Sequence, residues 1–271
     1  MIVKSASILG CGWLGLPLAI DLKLNETHVK GSTTTNSKLS MLAQHGITPF
    51  LLDLRIENSE VYTSFLLNSE VVIINIPPGR DSNVIKTYSE RINNILPYIS
   101  VIQKVIFVSS TSVYQNTNGE VVETEELIPE KISGKAILAV ENLLRRSLGN
   151  RLTIIRLSGL VGYDRLPGRF LANKKGLKNG NAPVNIIHRD DCIGLIKAVI
   201  EKEAWGEIIN GCADEHPLRK NYYTLAAKKM RLVPPEFVEE ESVDYKIISN
   251  EKSKKLLGYT YVYPDPLELL R

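Results

Sequence analysis

The strongest constraint on the fold of this 271-residue chain is an alternation of short strand-like runs with segments of helical length. Two of the runs, at residues 71–74 and 105–108, are continuously apolar, which is typical of strands buried on both faces of a parallel sheet. Six short, largely β-branched segments predict strands, at residues 7–9, 29–33, 48–52, 71–76, 105–109 and 152–157.

Segments of helical length separate these strands and predict helices at residues 14–23, 38–45, 61–67, 84–99 and 134–147. Alternation of this kind implies right-handed βαβ units that share one sheet. The sequence therefore predicts an α/β fold with a doubly wound parallel sheet, the Rossmann arrangement.

The pattern changes after Gly159, where Gly and Pro residues interrupt the chain up to residue 183. Later segments mix short strands with helices, predicted at residues 190–202 and 222–229. We therefore expect residues 1–158 to form the sheet domain, with residues 184–211 returning to the sheet. The remaining residues, 159–183 and 212–271, are expected to form a small C-terminal α/β lobe.

Charge and cysteine content exclude several classes of partner. The 33 Lys and Arg residues and 30 Asp and Glu residues leave a net charge of only +3, too small to indicate nucleic acid or an anionic membrane. The three cysteines form no C-x-x-C pair, so they favour a reducing compartment and give no support for a metal site. Glycines and a proline interrupt the apolar N-terminal stretch, unlike a signal peptide, and no apolar run reaches the length of about 18 residues that a membrane span needs. We expect a cytoplasmic protein without a metal, nucleic acid or membrane partner.

The most specific motif is G-C-G-W-L-G, which follows the first predicted strand and opens the first predicted helix. This is the context that the G-x-G-x-x-G fingerprint of dinucleotide-binding sites requires. Gly10 would permit the tight turn, Gly12 would let the backbone approach a pyrophosphate, and Gly15 would let the helix pack close to the sheet. The N–H groups of the helix N-terminus, around Trp13 and Leu14, would face the phosphates. The motif predicts that the chain binds a nicotinamide dinucleotide.

The end of the second strand favours NADP over NAD. Sites selective for NAD place a carboxylate there to hold the ribose hydroxyls, yet no carboxylate lies between Glu26 and Asp53. The region offers Thr33, Thr34 and Lys38 instead, and hydroxyl groups with a lysine suit a 2′-phosphate. The alternative for Lys38 is a solvated helix residue.

Two further strand ends supply candidate cofactor contacts. Asp53 could accept a hydrogen bond from the adenine amino group, with Leu54 beside it, although a helix cap or turn is the alternative role for Asp53. Ile76, Pro77 and Pro78 follow the fourth strand and are placed to pack beside a ribose. For these three residues the alternative is an ordinary turn at the end of a strand.

Four segments together resemble the extended short-chain dehydrogenase/reductase superfamily. They are V-S-S-T-S-V-Y at residues 108–114, R-L-S-G-L-V-G at 156–162, N-I-I-H-R-D-D at 185–191, and the terminal run from L-G-Y to Y-P-D at 257–265. The resemblance implies an NAD(P)-dependent epimerase, dehydratase or reductase whose small-molecule substrate could be a nucleotide sugar. It also implies that residues 159–183 and 212–271 form a substrate lobe. A homodimer formed through residues 84–99 and 134–147 is common in this superfamily.

The chain departs from the superfamily at the catalytic helix. The superfamily carries Tyr-x-x-x-Lys there, followed by Glu four residues later, and the ammonium lowers the phenol pKa so that it can exchange a proton with substrate. Aligning on Gly134 and Glu141 places Ser133 at the tyrosine position and Ile137 at the lysine position. None of the 11 tyrosines in the sequence is followed by a lysine four residues later.

Other residues could supply the missing chemistry. Ser110 matches the superfamily's catalytic Ser/Thr, and Tyr114 and Ser133 are the other candidates in this region. Lys131 and Lys135 are alternative proton donors, although both would ordinarily be solvated. Basic residues near the proposed substrate lobe could hold a diphosphate: Arg156, Arg165, Arg169, Lys174, Lys175, Lys178 and Arg189.

Two functions are compatible with this pattern. The first is an NAD(P)-dependent oxidoreductase or epimerase-like enzyme with altered acid–base residues. The alternative is a dinucleotide-binding protein without catalysis, which responds to the redox state of its cofactor. A polar cavity at the nicotinamide position would favour the enzyme.

Overall fold

The computed structural model describes residues 3–99 and 104–270. Its strands are β1 Ser5–Leu9, β2 His28–Thr33, β3 Thr48–Leu51, β4 Val71–Ile74, β5 Lys104–Ser110, β6 Glu120–Val121, β7 Leu152–Leu157, β8 Gly159–Val161, β9 Ile186–His188, β10 Ile208–Gly211 and β11 Ile247–Ile248. Its α-helices are α1 Gly15–Leu24, α2 Leu39–Gln44, α3 Ser59–Leu66, α4 Val84–Ile99, α5 Ile132–Leu148, α6 Gly168–Leu171, α7 Arg189–Glu201, α8 Arg219–Lys229 and α9 Glu251–Leu257. Short 3₁₀ helices form at Asn36–Lys38, Thr111–Val113, Gly149–Arg151 and Glu268–Leu270.

The chain divides into two compact units. Unit 1 comprises the residues up to Val113, Ile128–Arg156 and Ile196–Ile209. Unit 2 comprises Tyr114–Leu127, Leu157–Leu195 and the residues from Asn210 onward. The unit boundaries pass through α7 and β10, and the domain limits expected from the sequence stay a prediction.

A seven-stranded sheet forms in the order β10-β7-β5-β4-β1-β2-β3. Strand β1 pairs in parallel with both β2 and β4, β2 pairs in parallel with β3, and β4 does so with β5. The chain order therefore reverses beside β1, which is the switch point of a doubly wound sheet. A crevice opens there at the carboxyl ends of the strands. The predicted α/β Rossmann fold is confirmed.

The predicted strands all form, with small differences at their ends. Strand β4 ends at Ile74, two residues before the predicted end, and its four residues are completely buried. The chain leaves the sheet shortly before Pro77 and Pro78, which have no N–H to continue a ladder. All six residues of β7 are buried as well.

A buried ion pair joins α5 to the sheet within unit 1. The Arg156 guanidinium donates to both Glu141 carboxylate oxygens, at 2.7 Å from Nη2 and 3.1 Å from Nε. Ser109 Oγ donates to the same carboxylate at 2.5 Å, and the side chains of the ion pair are each 1% exposed. Arg156 therefore does not belong to the predicted group of diphosphate ligands, because its charge is used in the core.

Unit 2 contains two small parallel sheets, one formed by β6 and β11 and the other by β8 and β9. Its buried cluster comprises Val161, Val184, Ile186, Tyr222, Ala226 and Leu270. At the start of α7, Asp191 accepts hydrogen bonds from Tyr259 Oη and from the backbone N–H groups of Val262 and Tyr263, at 2.9, 2.7 and 3.1 Å. These bonds hold the segment that follows α9 against α7.

Within the two described ranges, no helix combines the length and apolar character needed to cross a membrane.

Candidate functional site

A cavity of about 380 Å³ opens in unit 1 at the carboxyl ends of β1, β2, β3 and β4. Its position is the crevice that the strand order creates, since these four strands surround the switch point. The lining residues are Leu9, Gly10, Cys11, Gly12, Ser32, Thr33, Thr34, Thr35, Lys38, Leu52, Asp53, Leu54, Arg55, Asn75, Ile76, Pro77 and Arg91.

The glycine loop is held in place by the neighbouring strands. Gly10 has φ of 101°, and a Cβ there would lie 2.6 Å from the Asn75 carbonyl oxygen, so only glycine fits. Ser32 Oγ accepts from the Gly10 N–H at 2.9 Å, and Asn75 Nδ2 donates to the Gly10 carbonyl at 3.1 Å. A Cβ on Gly15 would overlap the Gly10 carbonyl oxygen, because the start of α1 packs directly against the loop. The fold itself therefore requires Gly10 and Gly15.

Gly12 differs from the other two glycines of the motif. It is exposed, its φ lies outside the left-handed region, and a Cβ added there would meet no heavy atom within 4 Å. Nothing in the folding of the described chain therefore requires glycine at this position. Because Gly12 has no side chain, its backbone is directly accessible from the cavity.

Most of the residues predicted to bind the cofactor line this cavity. The structure brings together Gly10, Gly12, Thr33, Thr34, Lys38, Asp53, Leu54, Ile76 and Pro77. Four others, Trp13, Leu14, Gly15 and Pro78, are not among the lining residues. Their contact with a cofactor stays a prediction.

The end of β2 presents hydroxyl groups and a cation to the cavity. Thr33 is half-buried and its Oγ1 accepts from the Thr35 N–H at 3.2 Å. Thr34 and Lys38 are exposed, and Lys38 ends the 3₁₀ helix that follows β2. The predicted group of hydroxyls and one lysine is thus gathered at one side of the cavity.

Sequence analysis missed Arg55, which lines the cavity beside Asp53. The Arg55 guanidinium donates to both Asp53 carboxylate oxygens, and the Arg55 N–H donates to Oδ1 at 3.0 Å. The hydrogen bond from the Arg55 side chain is the main reason that the pKa of Asp53 is lowered. The carboxylate is therefore ionised and already partnered, and the exposed guanidinium adds a second cation to the cavity. Its place two residues after Asp53, at the end of a strand, was the signal that could have identified it.

Arg91 is the third cation of the cavity and was also missed. It lies on α4, with Nη2 4.0 Å from Asp81 Oδ2. Its Nε is buried and has no hydrogen-bond partner among the described residues, so the guanidinium retains donor capacity. No local pattern indicates this role, because a helical arginine in the middle of a chain is ordinarily solvated.

The three catalytic candidates have different surroundings. Ser110 ends β5 half-buried, and its Oγ accepts from the Ser112 N–H at 3.1 Å, so its hydroxyl proton is free to donate elsewhere. Ser133 is half-buried in the first turn of α5. In unit 2, Tyr114 is 1% exposed, and its phenol donates to Asn210 Oδ1 at 2.8 Å. A catalytic role for each of the three stays a prediction.

The start of α5 contains the positions that the sequence alignment compared with the superfamily pair. A Cβ on Gly134 would overlap the Ser112 carbonyl oxygen, so the helix begins in close contact with the segment after β5. Ile137, at the predicted lysine position, is 8% exposed and belongs to the core. Lys131 and Lys135 are both exposed to solvent.

No group of three or more His, Cys, Asp or Glu side chains is arranged to hold a metal ion in the part of the chain that the structure describes.

Comparison with solved structures defines the class of fold. The chain is similar to a short-chain dehydrogenase/reductase superfamily protein from Agrobacterium tumefaciens, solved with bound NAD, at 18% identity and a TM-score of 0.79 over 98% of this chain and 94% of that one. It is equally similar in TM-score, 0.79, to UDP-glucuronic acid 4-epimerase from Bacillus cereus in complex with NAD, at 20% identity over 98% and 96% of the two chains. The chain therefore has the fold of the short-chain dehydrogenase/reductase superfamily, and the fold implied by the resemblance of its motifs is confirmed.

Sequence comparison then defines the family. The chain is 36% identical over 274 aligned positions to Protein YeeZ of Escherichia coli strain K12, covering 98% of each protein. No protein-family model matches the chain. At this identity and coverage the chain belongs to the same family as Protein YeeZ.

Proposed function

We propose that the protein binds NADP(H), with NAD(H) as the weaker alternative, in the cavity of unit 1. We further propose that it acts as an oxidoreductase or epimerase-like enzyme on a small molecule, with nucleotide sugars as the first candidate class. The observation that carries this proposal is the exposed Gly12. Its missing side chain is unexplained by packing but is expected where a backbone approaches a pyrophosphate.

Similar structures support the choice of ligand. The Agrobacterium tumefaciens protein was solved with NAD, and the Bacillus cereus epimerase was solved with NAD and UDP-glucuronic acid. A dinucleotide placed along the carboxyl ends of β1 to β4 would meet the glycine loop, and the N–H groups at the start of α1 would face its phosphates.

The preference for NADP rests on the cations at the cavity. Lys38 and Arg55 are exposed, and Arg91 has an unpartnered donor. A 2′-phosphate adds negative charge and acceptor oxygens, which charged donors recognise more strongly than they recognise a ribose hydroxyl. Arg55 donates to Asp53 through Nε and Nη2, and the N–H donors of its Nη1 would be left for a phosphate at this side of the cavity.

The proposed chemistry differs from that of the superfamily in its proton donor. A bound nicotinamide would supply hydride transfer, and the chain must hold the substrate and move the proton. Ser110 has a hydroxyl proton available to donate to a substrate oxygen, whereas the Tyr114 phenol already donates to Asn210. In this proposal Ser110 orients the substrate, and Ser133 occupies the position of the missing tyrosine.

The alternative, a dinucleotide-binding protein without catalysis, is favoured by one observation. Ile137, which the alignment on Gly134 and Glu141 assigns to the lysine position, is buried. With this alignment, no ammonium can lower the pKa of a neighbouring hydroxyl from that position. Hydride transfer would then be absent although the dinucleotide binds.

Calorimetric titration with NADPH, NADH and their oxidised forms tests the binding proposal. Tight binding with NADPH ahead is expected, and failure of all four to bind would contradict it. A second experiment incubates the protein and its NADP-bound form with UDP-glucuronic acid and UDP-glucose, with products followed by NMR. Conversion that is lost in Ser110→Ala supports the enzyme, whereas tight NADPH binding without any conversion supports the alternative.

A further inference from the structure

Arg91 is placed at the unit 1 cavity by the two residues that flank it on α4. Tyr88 Oη donates to the Ile76 carbonyl at 2.7 Å, and Asn94 Nδ2 donates to the Leu54 carbonyl at 2.8 Å. Residues three apart are neighbours on one side of a helix, so Arg91 lies between these two contacts. Ile76 and Leu54 follow β4 and β3 and line the cavity together with Arg91. The Arg91 side chain therefore reaches the part of the cavity between the ends of these two strands.

The hydrogen-bond donors of the Arg91 guanidinium are unused within the described chain. Its side chain is 25% exposed, and Nη2 lies 4.0 Å from Asp81 Oδ2, beyond hydrogen-bond distance. Its Nε is buried without a partner, and the guanidinium forms no hydrogen bond with any described residue. A guanidinium has five N–H donors, and leaving them unpaired on a mostly buried side chain costs free energy unless a ligand accepts from them. A ligand group that accepts hydrogen bonds is therefore expected beside Arg91.

The charges around Arg91 favour a neutral ligand group over an anion. Asp81 lies beside the guanidinium, and its carboxylate offsets the positive charge. The pKa of Asp53 is lowered mainly by the hydrogen bond from Arg55 and further by the charge of Arg91, so a second carboxylate is also close. Lys38, in contrast, lines the cavity and forms no ion pair with any described residue. An anionic group of a ligand is therefore expected nearer to Lys38 than to Arg91.

The walls beside Arg91 suit a flat heteroaromatic ring. Leu52, Leu54, Ile76 and Pro77 give this part of the cavity apolar surface. Adenine has two apolar faces, and its edge carries ring nitrogens that accept hydrogen bonds and an amino group that donates them. The planar guanidinium of an arginine matches such an edge better than an ammonium does, because its N–H groups are fixed in one plane.

From these observations we propose that Arg91 binds the adenine base of the dinucleotide, by donating from its guanidinium to an acceptor nitrogen of the ring. This role of Arg91 rests on the dinucleotide binding proposed above, and it assigns the base to the part of the cavity between Leu54 and Ile76. The charge of Arg91 acts on a 2′-phosphate only at longer range. Arg91 thus contributes selectivity for the base, whereas Lys38 contributes selectivity for the phosphate.

Arg91→Lys tests this role, because lysine keeps the charge but lacks the planar set of N–H donors. The variant is expected to bind NADPH and NADH each about tenfold more weakly than the unchanged protein, with the ratio of the two affinities unchanged. Calorimetric titration measures both affinities, and urea denaturation shows whether the variant is folded. Arg146→Lys is the matched control, since Arg146 is an exposed helical arginine of the same unit that does not line the cavity, and it should change neither affinity.

Two results of this titration would overturn the role of Arg91. A loss of NADPH affinity alone would assign Arg91 to the 2′-phosphate. Unchanged affinities for both dinucleotides would show that Arg91 does not contact the cofactor.

Nucleotide fragments separate this role from the dinucleotide proposal. The probes 5′-AMP and ribose 5-phosphate differ by the base and are titrated as competitors of NADPH. Arg91→Lys is expected to weaken the binding of 5′-AMP by about tenfold and to leave that of ribose 5-phosphate unchanged. Equal effects on the two probes would overturn the contact between Arg91 and the base and would leave the dinucleotide proposal standing. Failure of the unchanged protein to bind NADPH would overturn both.

Discussion

The cavities of the two units are built in different ways. The unit 1 cavity is lined mainly by short stretches that end or follow four neighbouring parallel strands. In unit 2, a cavity of about 210 Å³ is lined by side chains from β8, from the turn and helix α6 that follow it, from the end of β9, from α8 and from the last 3₁₀ helix. Strand topology creates the first cavity, so a local motif predicts it. The second cavity exists only after distant segments have packed.

The buried carboxylates Glu141 and Asp191, one in each unit, also have different kinds of partner. Glu141 of unit 1 is paired with a full opposite charge on Arg156. Asp191 of unit 2 is held by neutral donors, two backbone N–H groups and the Tyr259 hydroxyl. Burial raises the pKa of Asp191, and these hydrogen bonds oppose the shift. The comparison indicates that unit 1 depends on a charge pair in its core and that unit 2 depends on neutral hydrogen bonds.

The largest expected effect comes from breaking the buried charge pair of unit 1. Arg156→Met leaves the Glu141 carboxylate buried without its cation, and it should lower the free energy of unfolding by about 3–5 kcal/mol. Urea denaturation measures this change. The control is Glu90→Gln, which removes an exposed ion pair with Lys86 on α4 and should cost at most about 0.5 kcal/mol. Similar losses in the two variants would show that the buried pair has no special role.

A smaller effect is expected at the cations of the unit 1 cavity. Lys38→Gln removes one positive charge near the proposed 2′-phosphate, and it should reduce the ratio of NADPH to NADH affinity by about tenfold. Lys23→Gln, which changes an exposed lysine of the same unit outside the cavity, serves as the control. An unchanged ratio in Lys38→Gln would show that Lys38 is a solvated helix residue. The preference for NADPH would then have to come from Arg55 and Arg91.

The smallest expected effect is a pH dependence of stability at His188. Burial lowers the pKa of His188 below 6.5, against the nearby carboxylates of Asp190 and Asp191. The unfolded chain therefore binds more protons than the folded chain just below pH 6.5, and stability is lost as the pH falls through this window. His188→Gln should consequently show a smaller fall in Tm between about pH 7.5 and about pH 5.5 than the unchanged protein shows. His216, whose pKa burial also lowers, and Asp191, whose raised pKa acts in the opposite sense, are present in both proteins. Equal falls in Tm in the variant and the unchanged protein would show that His188 does not contribute to the pH dependence of stability.

The sequence predicted the features of the molecule that are determined by residues close together along the chain. The strands, the glycine loop and the hydroxyl groups after β2 follow from periodicity and from residues a few positions apart. The same reasoning placed most of the cofactor candidates in one cavity, because parallel strands bring their carboxyl ends to one edge of the sheet. It also assigned Gly10 to a tight turn and Gly15 to the close packing of the first helix, and the structure shows a left-handed φ at Gly10 and a close contact at Gly15.

The remaining features depend on contacts between distant segments. Arg91 reaches the cavity from α4, and Arg156, which the sequence suggested as a diphosphate ligand, is paired with Glu141 in the core. The position of His188 depends on packing against two tyrosines, one of them 75 residues further along the chain. Sequence patterns carry no signal for such arrangements, because each residue alone looks like an ordinary charged or aromatic residue.

The most direct test of dinucleotide binding compares two glycines that both have room for an added methyl group. A Cβ at Gly12 and a Cβ at Gly119 would each meet no heavy atom within 4 Å, and neither glycine has a left-handed φ. Gly12→Ala and Gly119→Ala should therefore fold normally, and NADPH is titrated into both. We predict that Gly12→Ala weakens NADPH binding by about tenfold or more, because the added methyl group blocks the approach of the pyrophosphate, and that Gly119→Ala has no effect. Unchanged NADPH binding in Gly12→Ala would contradict the central claim that the glycine loop of unit 1 holds a dinucleotide.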